Sequence, residues 1–224
     1  MIAIQTKMRD DLIEAEKLKQ QLSLNLLQQQ VNPHFLYNTL DNICALAELD
    51  EKETLIQLVM NLSSFYRSSL SNGKMHISIG QELEISRAYL EILQIRYFHK
   101  FDFTITCPEA LKNYSCIKLL LQPILENSIY HGIKGLDRHG ILHIEAEDAG
   151  DCIRFTISDN GRGFSKEDYE KIWQQDADHF GIKSIQQRIL LYYGPGYGLS
   201  MESPQTGGCI TVITLPKQEG LPCH

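Results

Sequence analysis

Two stretches of apolar residues with helical spacing open this 224-residue chain, and they constrain its fold more than any other feature. In the first stretch, apolar residues recur every three or four positions among Lys, Glu and Gln, at Met8, Leu12, Ala15, Leu18, Leu22 and Leu26, and the same spacing continues at Leu36, Leu40, Ile43 and Ala47. After the acidic segment 48–53, the second stretch follows at Leu55, Leu58, Leu62 and Phe65, and Ser71-Asn72-Gly73 is expected to end it.

Two helices joined by a short connector form a hairpin that cannot bury both apolar stripes by itself. Pairing with a second chain solves this problem, because two hairpins together enclose the stripes in one core. Residues 1–73 are therefore predicted to form a dimeric four-helix bundle, with Leu58, Leu62 and Phe65 in the shared core.

From about Met75 the pattern alternates between helix and strand. The predicted helices are Gln81–Tyr97, Ile117–Tyr130, which Pro123 is expected to distort, and Ile182–Tyr192. The predicted strands are Phe101–Thr106, Leu142–Glu147, Cys152–Ser158, Gly198–Ser203 and Cys209–Leu215. Helices beside a sheet indicate an α+β domain over residues 74–217, and residues 218–224 read as a tail.

Charge and composition exclude several classes of function. The formal net charge is −7 and no basic run is present, which argues against nucleic-acid binding, since that depends on neutralising phosphates. No run approaches about 18 apolar residues, so no membrane-spanning helix is expected. The six cysteines form no CxxC pair and are expected to be reduced thiols, as in a cytoplasmic protein.

The segment Asn32–Asn38 carries the first group of reactive side chains. Each helical residue turns by about 100°, so His34 lies off the apolar stripe, and Asn38 lies one turn further on the same polar face. A neutral imidazole is a nucleophile available near pH 7. A solvated surface histidine after the helix-kinking Pro33 is the alternative, and this pattern alone favours it.

A second group lies at the end of the predicted helix 117–130. Asn127 and His131 are four residues apart and therefore share one helix face. An Asn carbonyl oxygen is a hard ligand suited to Mg²⁺, and a histidine one turn away can meet a phosphate oxygen. A helix that simply ends at Gly132 is the alternative, although it leaves the neighbouring Glu126 unexplained.

A third group, Asp159-Asn160-Gly161-Arg162-Gly163, directly follows a predicted strand. The Asp159 carboxylate can accept a hydrogen bond from the exocyclic amine of adenine, and the glycines allow the backbone to approach a ligand closely. An ordinary turn that ends the strand explains the same residues equally well. Gly181 and Ile182 begin a predicted helix, whose backbone amides can bind phosphate.

Taken in order, these motifs resemble the cytoplasmic part of LytS/YesM-like bacterial sensor histidine kinases, which carry a Pro-His-Phe phosphoacceptor motif and an ATPase domain of the GHKL (Bergerat-type) superfamily. The resemblance covers about residues 20–216 and extends to the stretch Glu82–Arg96 and the closing Gly208…Leu215-Pro216. It implies an α+β fold, with a dimeric helical bundle followed by an α/β sandwich that binds ATP.

The resemblance also implies an activity and its catalytic residues. The chain would use Mg²⁺ and ATP to phosphorylate His34 and would pass the phosphoryl group to an aspartate on the receiver domain of a response regulator. Asn38 would support the phosphatase reaction, and Glu126 is a candidate general base. The full-length protein would be a membrane sensor, attached only through segments outside this chain.

The resemblance assigns the nucleotide site by position. Asn127 would coordinate Mg²⁺ and His131 would approach the triphosphate. Asp159 would bind adenine, in a pocket shaped by Gly161 and Gly163. The phosphate-proximal end of the lid that closes over ATP would contain Gly181 and Ile182.

Three positions depart from the family pattern. His179 replaces the first glycine of the lid, Ser184 replaces an asparagine, and Cys209 replaces a threonine. These changes bear on the flexibility of the lid and on the affinity for ATP, but not on the adenine pocket. They favour one alternative, a dimeric pseudokinase scaffold that binds nucleotide and signals through partner contacts. A GHKL ATPase of the chaperone or DNA-repair kind is a further alternative, which the Pro33-His34-Phe35 motif disfavours.

Overall fold

The computed structural model describes residues 33–69, 75–173 and 180–219, which fall into two compact units divided between Ala45 and Leu46. The predicted helical pattern at Met8–Leu26, the stop at 71–73 and the end of the tail lie outside these residues. Within them, no helix is both long and apolar enough to cross a lipid bilayer.

Two helices occupy the first described segment, as the apolar spacing predicts. Helix α1 spans Pro33–Glu48 and helix α2 spans Lys52–Ser69. They are separated at the acidic break, where Asp50 has a φ of +58° and the Glu51 N–H donates to the Leu46 carbonyl. Proline is tolerated in the first turn of a helix because the N–H groups there have no partner within the helix.

The packing of α2 differs from the prediction. Leu58 and Phe65 are buried within the single chain, with exposures of 0% and 3%. The Phe65 ring contacts Tyr89 of the next helix, with 5.8 Å between the ring centroids. The apolar side chains that α2 leaves exposed are Ile56, Val59 and Met60, on another face of the helix. The assignment of Leu58 and Phe65 to a core shared between chains is therefore wrong.

The remaining elements form the α+β domain. In chain order they are β1 (His76–Ser78), α3 (Ile79–Arg96), β2 (Phe101–Thr106), a 3₁₀ turn (Glu109–Leu111), β3 (Ser115–Ile117), α4 (Gln122–Asn127), a π turn (Ser128–Ile133), β4 (Gly140–Asp148), β5 (Cys152–Asp159), α5 (Lys166–Trp173), α6 (Phe180–Tyr193), β6 (Gly198–Glu202) and β7 (Cys209–Pro216).

A five-stranded sheet in the order β2-β4-β5-β7-β6 carries the domain. Strands β2 and β4 are parallel, and the other neighbours are antiparallel. Burial alternates along β4 and β5, so that one face of the sheet is covered and the other faces solvent. Helices α3, α4 and α6 supply the buried residues on the covered side, which makes a two-layer α/β sandwich and confirms the predicted fold class.

The segment predicted as one helix over 117–130 is built differently. Residues Ser115–Ile117 form β3, which pairs with β1, and the helix begins only at Gln122. Pro123 therefore lies in the first turn of α4, where its missing N–H costs nothing. The helix then widens into the π turn Ser128–Ile133. Helix α5 and the β1–β3 pair were not predicted.

Candidate functional site

A buried carboxylate at the end of β5 is the centre of the site. Asp159 is 9% exposed, and its Oδ1 accepts a hydrogen bond from the Gly161 N–H at 2.9 Å. Its Oδ2 is also buried, and no group in the described part of the chain donates to it. Burial raises the pKa of Asp159, while the Ser128 hydroxyl and the N–H groups of Gly161 and Cys209 lower it.

A buried carboxylate oxygen without a donor is costly, because it has lost its water and gained no replacement. Such atoms are uncommon in folded proteins and point to a ligand that supplies the missing donor. An N–H group on a planar heterocycle, such as the exocyclic amine of adenine, is a donor of the required kind.

The backbone around Asp159 is packed too closely for side chains. A Cβ on Gly161 would lie 2.6 Å from Asp159 Oδ1 and 2.7 Å from the Cα of Gly132. Gly163 has a φ of +71°, and a Cβ there would collide with the Ser203 hydroxyl. The sequence therefore needs glycine at both positions so that the loop after β5 can lie directly against the π turn.

The loop and the π turn enclose a pocket beside Asp159. A π turn often marks a functional site, because it widens the helix locally. The residues that line this pocket are Asn127, Ser128, His131, Gly132, Asp159, Arg162, Gly163, Phe164, Asp168 and Cys209. The structure thus brings together the predicted residues Asn127, His131, Asp159 and Gly163, with Gly161 packed behind the carboxylate.

Sequence reasoning missed three lining residues that follow Gly161, namely Arg162, Phe164 and Asp168. Ser165 and Asp168 cap helix α5 reciprocally: Asp168 Oδ2 accepts from the Ser165 N–H at 3.1 Å, and the Ser165 hydroxyl accepts from the Asp168 N–H at 3.1 Å. The Ser165-x-x-Asp168 spacing is a capping signal that could have located this helix and so placed Asp168 beside the loop.

Three aromatic rings extend away from the pocket. Phe164 stacks on Tyr169, with 5.8 Å between centroids and 24° between the ring planes. Tyr169 in turn meets Trp173 edge-on at 6.1 Å. Trp173 is the last residue of α5 and the only tryptophan in the chain. We call these three residues the aromatic ladder.

Cys209 contributes an uncharged wall to the pocket. It is buried, and its Sγ lies 3.7 Å from the Thr211 hydroxyl. Burial raises the pKa of the Cys209 thiol to about 11, so the thiol stays neutral at ordinary pH. The position that departs from the family pattern therefore presents a small, weakly polar surface to a ligand.

Glu126 lies beside the pocket residue Asn127 and is held by two donors. Its Oε1 accepts from the Tyr89 hydroxyl at 3.2 Å and from Gln122 Nε2 at 3.0 Å. Glu126 is not among the described residues that line the pocket. Its role as a general base stays a prediction.

The predicted lid residues lie at the start of α6. Ile182 is 2% exposed and belongs to the core, and a Cβ on Gly181 would lie 3.2 Å from Pro123. Neither is among the described residues that line the pocket. Ser184 is partly exposed on the same helix. Residue 179 lies outside the described segments, so the lid role of Gly181 and Ile182 stays a prediction.

His34 and Asn38 lie one turn apart on α1, in the first compact unit. The imidazole of His34 is exposed, as predicted from its position off the apolar stripe. Asn38 is partly buried, and its Nδ2 has no hydrogen-bond partner in the described part of the chain. Their catalytic roles stay predictions.

Comparison with known proteins gives two family matches in order along the chain. Residues 22–101 match the histidine kinase family, and residues 114–219 match the histidine kinase-, DNA gyrase B- and HSP90-like ATPases. The first match contains His34 and Asn38, and the second contains all the predicted nucleotide-site residues.

Curated relatives and solved structures agree with these matches. The chain is 31% identical to the sensor histidine kinase YesM of Bacillus subtilis, over 94% of this chain and 36% of YesM. It is 33% identical to the sensor histidine kinase BtsS of Escherichia coli K12, over 81% of this chain and 31% of BtsS. It is 28% identical to the sensor histidine kinase/phosphatase LytS of Staphylococcus aureus, over 88% of this chain and 35% of LytS.

The solved structure of histidine kinase ThkA in complex with the response regulator TrrA has the same fold, with a TM-score of 0.52 and 16% identity over 93% of this chain and 66% of that chain. The catalytic domain of ThkA alone gives a TM-score of 0.50 at 16% identity, over 64% of this chain and 96% of that domain. The chain spans about a third of the length of its curated relatives. On these matches and on the site geometry, the chain belongs to the sensor histidine kinases related to YesM and LytS.

Proposed function

We propose that this chain uses ATP to phosphorylate His34 and passes the phosphoryl group to an aspartate on a response regulator. The observation that carries the proposal is the buried Oδ2 of Asp159, to which none of the described residues donates, beside a pocket that also contains Asn127 and His131. The exposed imidazole of His34, in the segment that matches histidine kinases, supplies an acceptor.

Asp159 selects adenine through its charge. Its Oδ2 accepts from the exocyclic amine of adenine, whereas guanine presents a carbonyl oxygen at the same position and is repelled by the carboxylate. Gly161 and Gly163 let the purine lie close to the backbone, and the neutral Cys209 thiol contacts it without competing for a hydrogen bond.

Asn127 and His131 serve the phosphates. The amide oxygen of Asn127 would hold Mg²⁺, and the residues present fit this ion, since an uncharged oxygen ligand leaves room for phosphate oxygens. Mg²⁺, when bound, neutralises charge on the triphosphate. The His131 ring donates to a phosphate oxygen.

His34 attacks through a neutral ring nitrogen. A phosphorus–nitrogen bond forms as the bond between the γ-phosphorus and the β–γ bridging oxygen breaks, and ADP leaves. The proton on the other ring nitrogen passes to a base, which we propose is Glu126. Protonation of the phosphohistidine later makes imidazole a good leaving group for transfer to aspartate.

The test is incubation of the chain with γ-labelled ATP and Mg²⁺, followed by acid treatment. We expect acid-labile label on the wild type and none on His34→Gln, while both bind a fluorescent ATP analogue equally. His143→Gln, at an exposed histidine on β4, is the control and keeps the label. Nucleotide binding without any label would favour the scaffold alternative, to which relatives named as kinases give no support.

A second activity, dephosphorylation of the regulator, is favoured by two observations. The Staphylococcus aureus relative is named a kinase/phosphatase, and Asn38 lies one turn from His34 with an Nδ2 that pairs with no group in the described segments. The Asn38 amide can donate to and accept from a water held in line with the aspartyl phosphate. The alternative is an Asn38 amide that only supports the helix near Pro33.

We also propose that the chain acts as a homodimer and that a response-regulator receiver domain is its partner. Exposed apolar side chains lie at Tyr37 and Leu40 on α1 and at Ile56, Val59 and Met60 on α2, and a second copy would cover them. The ThkA–TrrA complex is an example of a kinase bound to its regulator. A protein of the relatives' length would add a membrane-attached sensor.

A further inference from the structure

A buried tyrosine connects helix α3 to Glu126, the residue beside the proposed metal ligand Asn127. Tyr89 is 0% exposed, and its hydroxyl donates to Glu126 Oε1 at 3.2 Å across 37 residues of sequence. The second donor to that oxygen, Gln122 Nε2 at 3.0 Å, comes from one turn earlier on α4 itself. Tyr89 is thus the tertiary contact that fixes the direction of the Glu126 carboxylate.

The other side of Tyr89 contacts the helical region. Its ring packs against Phe65 of α2, which is 3% exposed, with 5.8 Å between centroids and 40° between the ring planes. Three helices are therefore linked through Phe65, Tyr89 and Glu126. Because packed side chains in a core cannot slide independently, a shift of α2 must move the Tyr89 ring and, with it, the hydroxyl that holds Glu126.

The Tyr89 hydroxyl stays protonated at neutral pH. Burial raises the pKa of Tyr89 well above its ordinary value, and the negative charge of Glu126 raises that pKa further. A protonated phenol beside a carboxylate is a constant donor, and a hydrogen bond to a charged acceptor is stronger than one between neutral groups. Tyr89 therefore cannot act as a proton carrier in the reaction, but it can orient its neighbour.

We propose that Tyr89 is a positioning residue for phosphoryl transfer: it holds the Glu126 carboxylate in its reactive orientation and transmits the position of α2 to it. The inference rests on the proposed function, in which Glu126 is the base. A free glutamate side chain samples many rotamers, so fixing the carboxylate lowers the entropic cost of reaching the transition state. Nucleotide binding, which uses other residues, is not expected to depend on Tyr89.

Tyr89→Phe tests the hydroxyl alone, because it keeps the ring and its contact with Phe65. We expect the turnover number of autophosphorylation to fall about tenfold, the size expected for one charged hydrogen bond, while the dissociation constant of a fluorescent ATP analogue stays within about twofold. In a Glu126→Gln background the same change should alter the residual rate by less than about twofold, because the group that Tyr89 positions is already lost.

Tyr193→Phe is the matched control. Tyr193 is another tyrosine whose hydroxyl is engaged, in this case accepting from the backbone N–H of Ile117 at 2.9 Å, far from Glu126 in the hydrogen-bond network. Loss of this hydrogen bond in Tyr193→Phe can reduce folding stability, but any effect on the turnover number should be the same in the wild-type and Glu126→Gln backgrounds. This pattern separates positioning of Glu126 from a general loss of packing.

Phe65→Leu tests the link to α2. We expect a lower turnover number in the wild-type background and no further loss in Tyr89→Phe, since both changes act through the same hydroxyl. A wild-type turnover number in Tyr89→Phe would overturn the positioning role. So would a fall in turnover number that Tyr89→Phe causes equally in the wild-type and Glu126→Gln backgrounds. Wild-type turnover in Phe65→Leu would overturn the link to α2. Absence of acid-labile label on the wild-type chain would overturn the proposed function itself, and the inference with it.

Discussion

The proposed nucleotide site depends on a single residue, Asp159, more than on any other. The fold removes it from water, gives its Oδ1 the Gly161 N–H and leaves its Oδ2 without a donor from the described residues. This arrangement lowers folding stability slightly so that a ligand donor can be bound strongly. Stability given up at a binding site is a common consequence of preparing the site before the ligand arrives.

The change Asp159→Asn is expected to weaken ATP binding by about ten- to a hundredfold, because one charge-assisted hydrogen bond is lost. The folded pKa of Asp159 is raised, so its contribution to stability falls as the pH rises from its unfolded pKa through its folded pKa. Asparagine does not ionise, so Asp159→Asn does not lose stability in this way and should be at least as stable as the wild type at neutral pH.

A titration with fluorescent ATP and a thermal melt check both parts of this expectation. Asp151→Asn, at an exposed aspartate in the β4–β5 turn, is the control and should change neither. An unchanged dissociation constant in Asp159→Asn would show that the adenine amine is bound elsewhere.

The proposed phosphatase reaction predicts a role for Asn38. Asn38→Ala should keep most of the autophosphorylation at His34, because the acceptor nitrogen is untouched, but should lengthen the lifetime of the phosphorylated regulator several-fold. The measurement is the decay of regulator phosphate with wild type or variant in the presence of ADP. Asn42→Ala, one turn further along α1, is the control. Equal lifetimes would leave Asn38 with a structural role only.

Among the helices, the start of α4 is held in place by the buried side chains of Glu82 and Arg188, which we call the clasp. The Glu82 carboxylate of α3 is 1% exposed and accepts from the backbone N–H groups of Leu119 at 2.8 Å and Leu121 at 2.9 Å. Arg188 of α6 donates to the carbonyls of Lys118 and Leu119, and Leu119 has a φ of +55°. Two helices thus hold the segment that leads to Asn127.

Glu82→Gln is expected to lower the free energy of unfolding by about 1–3 kcal/mol, because the amide –NH₂ cannot accept from the second backbone N–H and leaves it unsatisfied. Urea unfolding of the variant measures the change. Glu84→Gln, at an exposed position on the same helix, is the control and should lie within about 0.5 kcal/mol of wild type. Wild-type stability in Glu82→Gln would contradict the importance of the clasp.

The same segment shows what local sequence can and cannot predict. The apolar run after Ile117 has helical spacing, yet Ser115–Ile117 pair with β1, some 40 residues earlier, and Glu82 holds the next residues in a turn with Leu119 at a φ of +55°. Both partners are remote in sequence, so no local pattern reveals them. The strand Phe101–Thr106 was predicted to the residue, and the other four strands of the large sheet were predicted to within two residues at each end, because alternation of apolar residues is itself the local signal.

The site was predictable where its residues lie within one turn or one loop. Asn127 and His131 share a helix face, and Asp159 and Gly163 share a tight loop, so spacing alone grouped each pair correctly. That the two pairs line one pocket follows from the register of the sheet and from the contact between Gly132 and Gly161, which only the folded chain shows.

At the level of the whole molecule, the proposed dimer depends on the exposed apolar face of α2. Spacing showed that α2 is amphipathic, but it could not show which neighbour covers which residues. Leu58 and Phe65 are already buried in one chain, whereas Ile56, Val59 and Met60 are 43–62% exposed. Exposed apolar residues clustered in this way are typical of an interface between subunits.

The paired change Val59→Glu/Met60→Glu is therefore expected to convert a dimer into a monomer at micromolar concentration, because it would bury charge at the interface without a partner. Light scattering measures the mass, and the fluorescent-ATP titration should be unchanged. Leu190→Glu, at a leucine 43% exposed on α6, is the control and should stay dimeric. A monomeric wild type would contradict the proposed assembly.

The aromatic ladder has a practical consequence for this molecule. Phe164 lines the pocket, and two ring contacts separate it from Trp173, the sole indole of the chain. Emission from an indole is sensitive to the rings and dipoles around it, so we expect a purine that contacts Phe164 to alter the light emitted at the far end of the stack. The unlabelled polypeptide would then carry its own optical probe, and stopped-flow mixing would time the arrival of nucleotide without any attached dye.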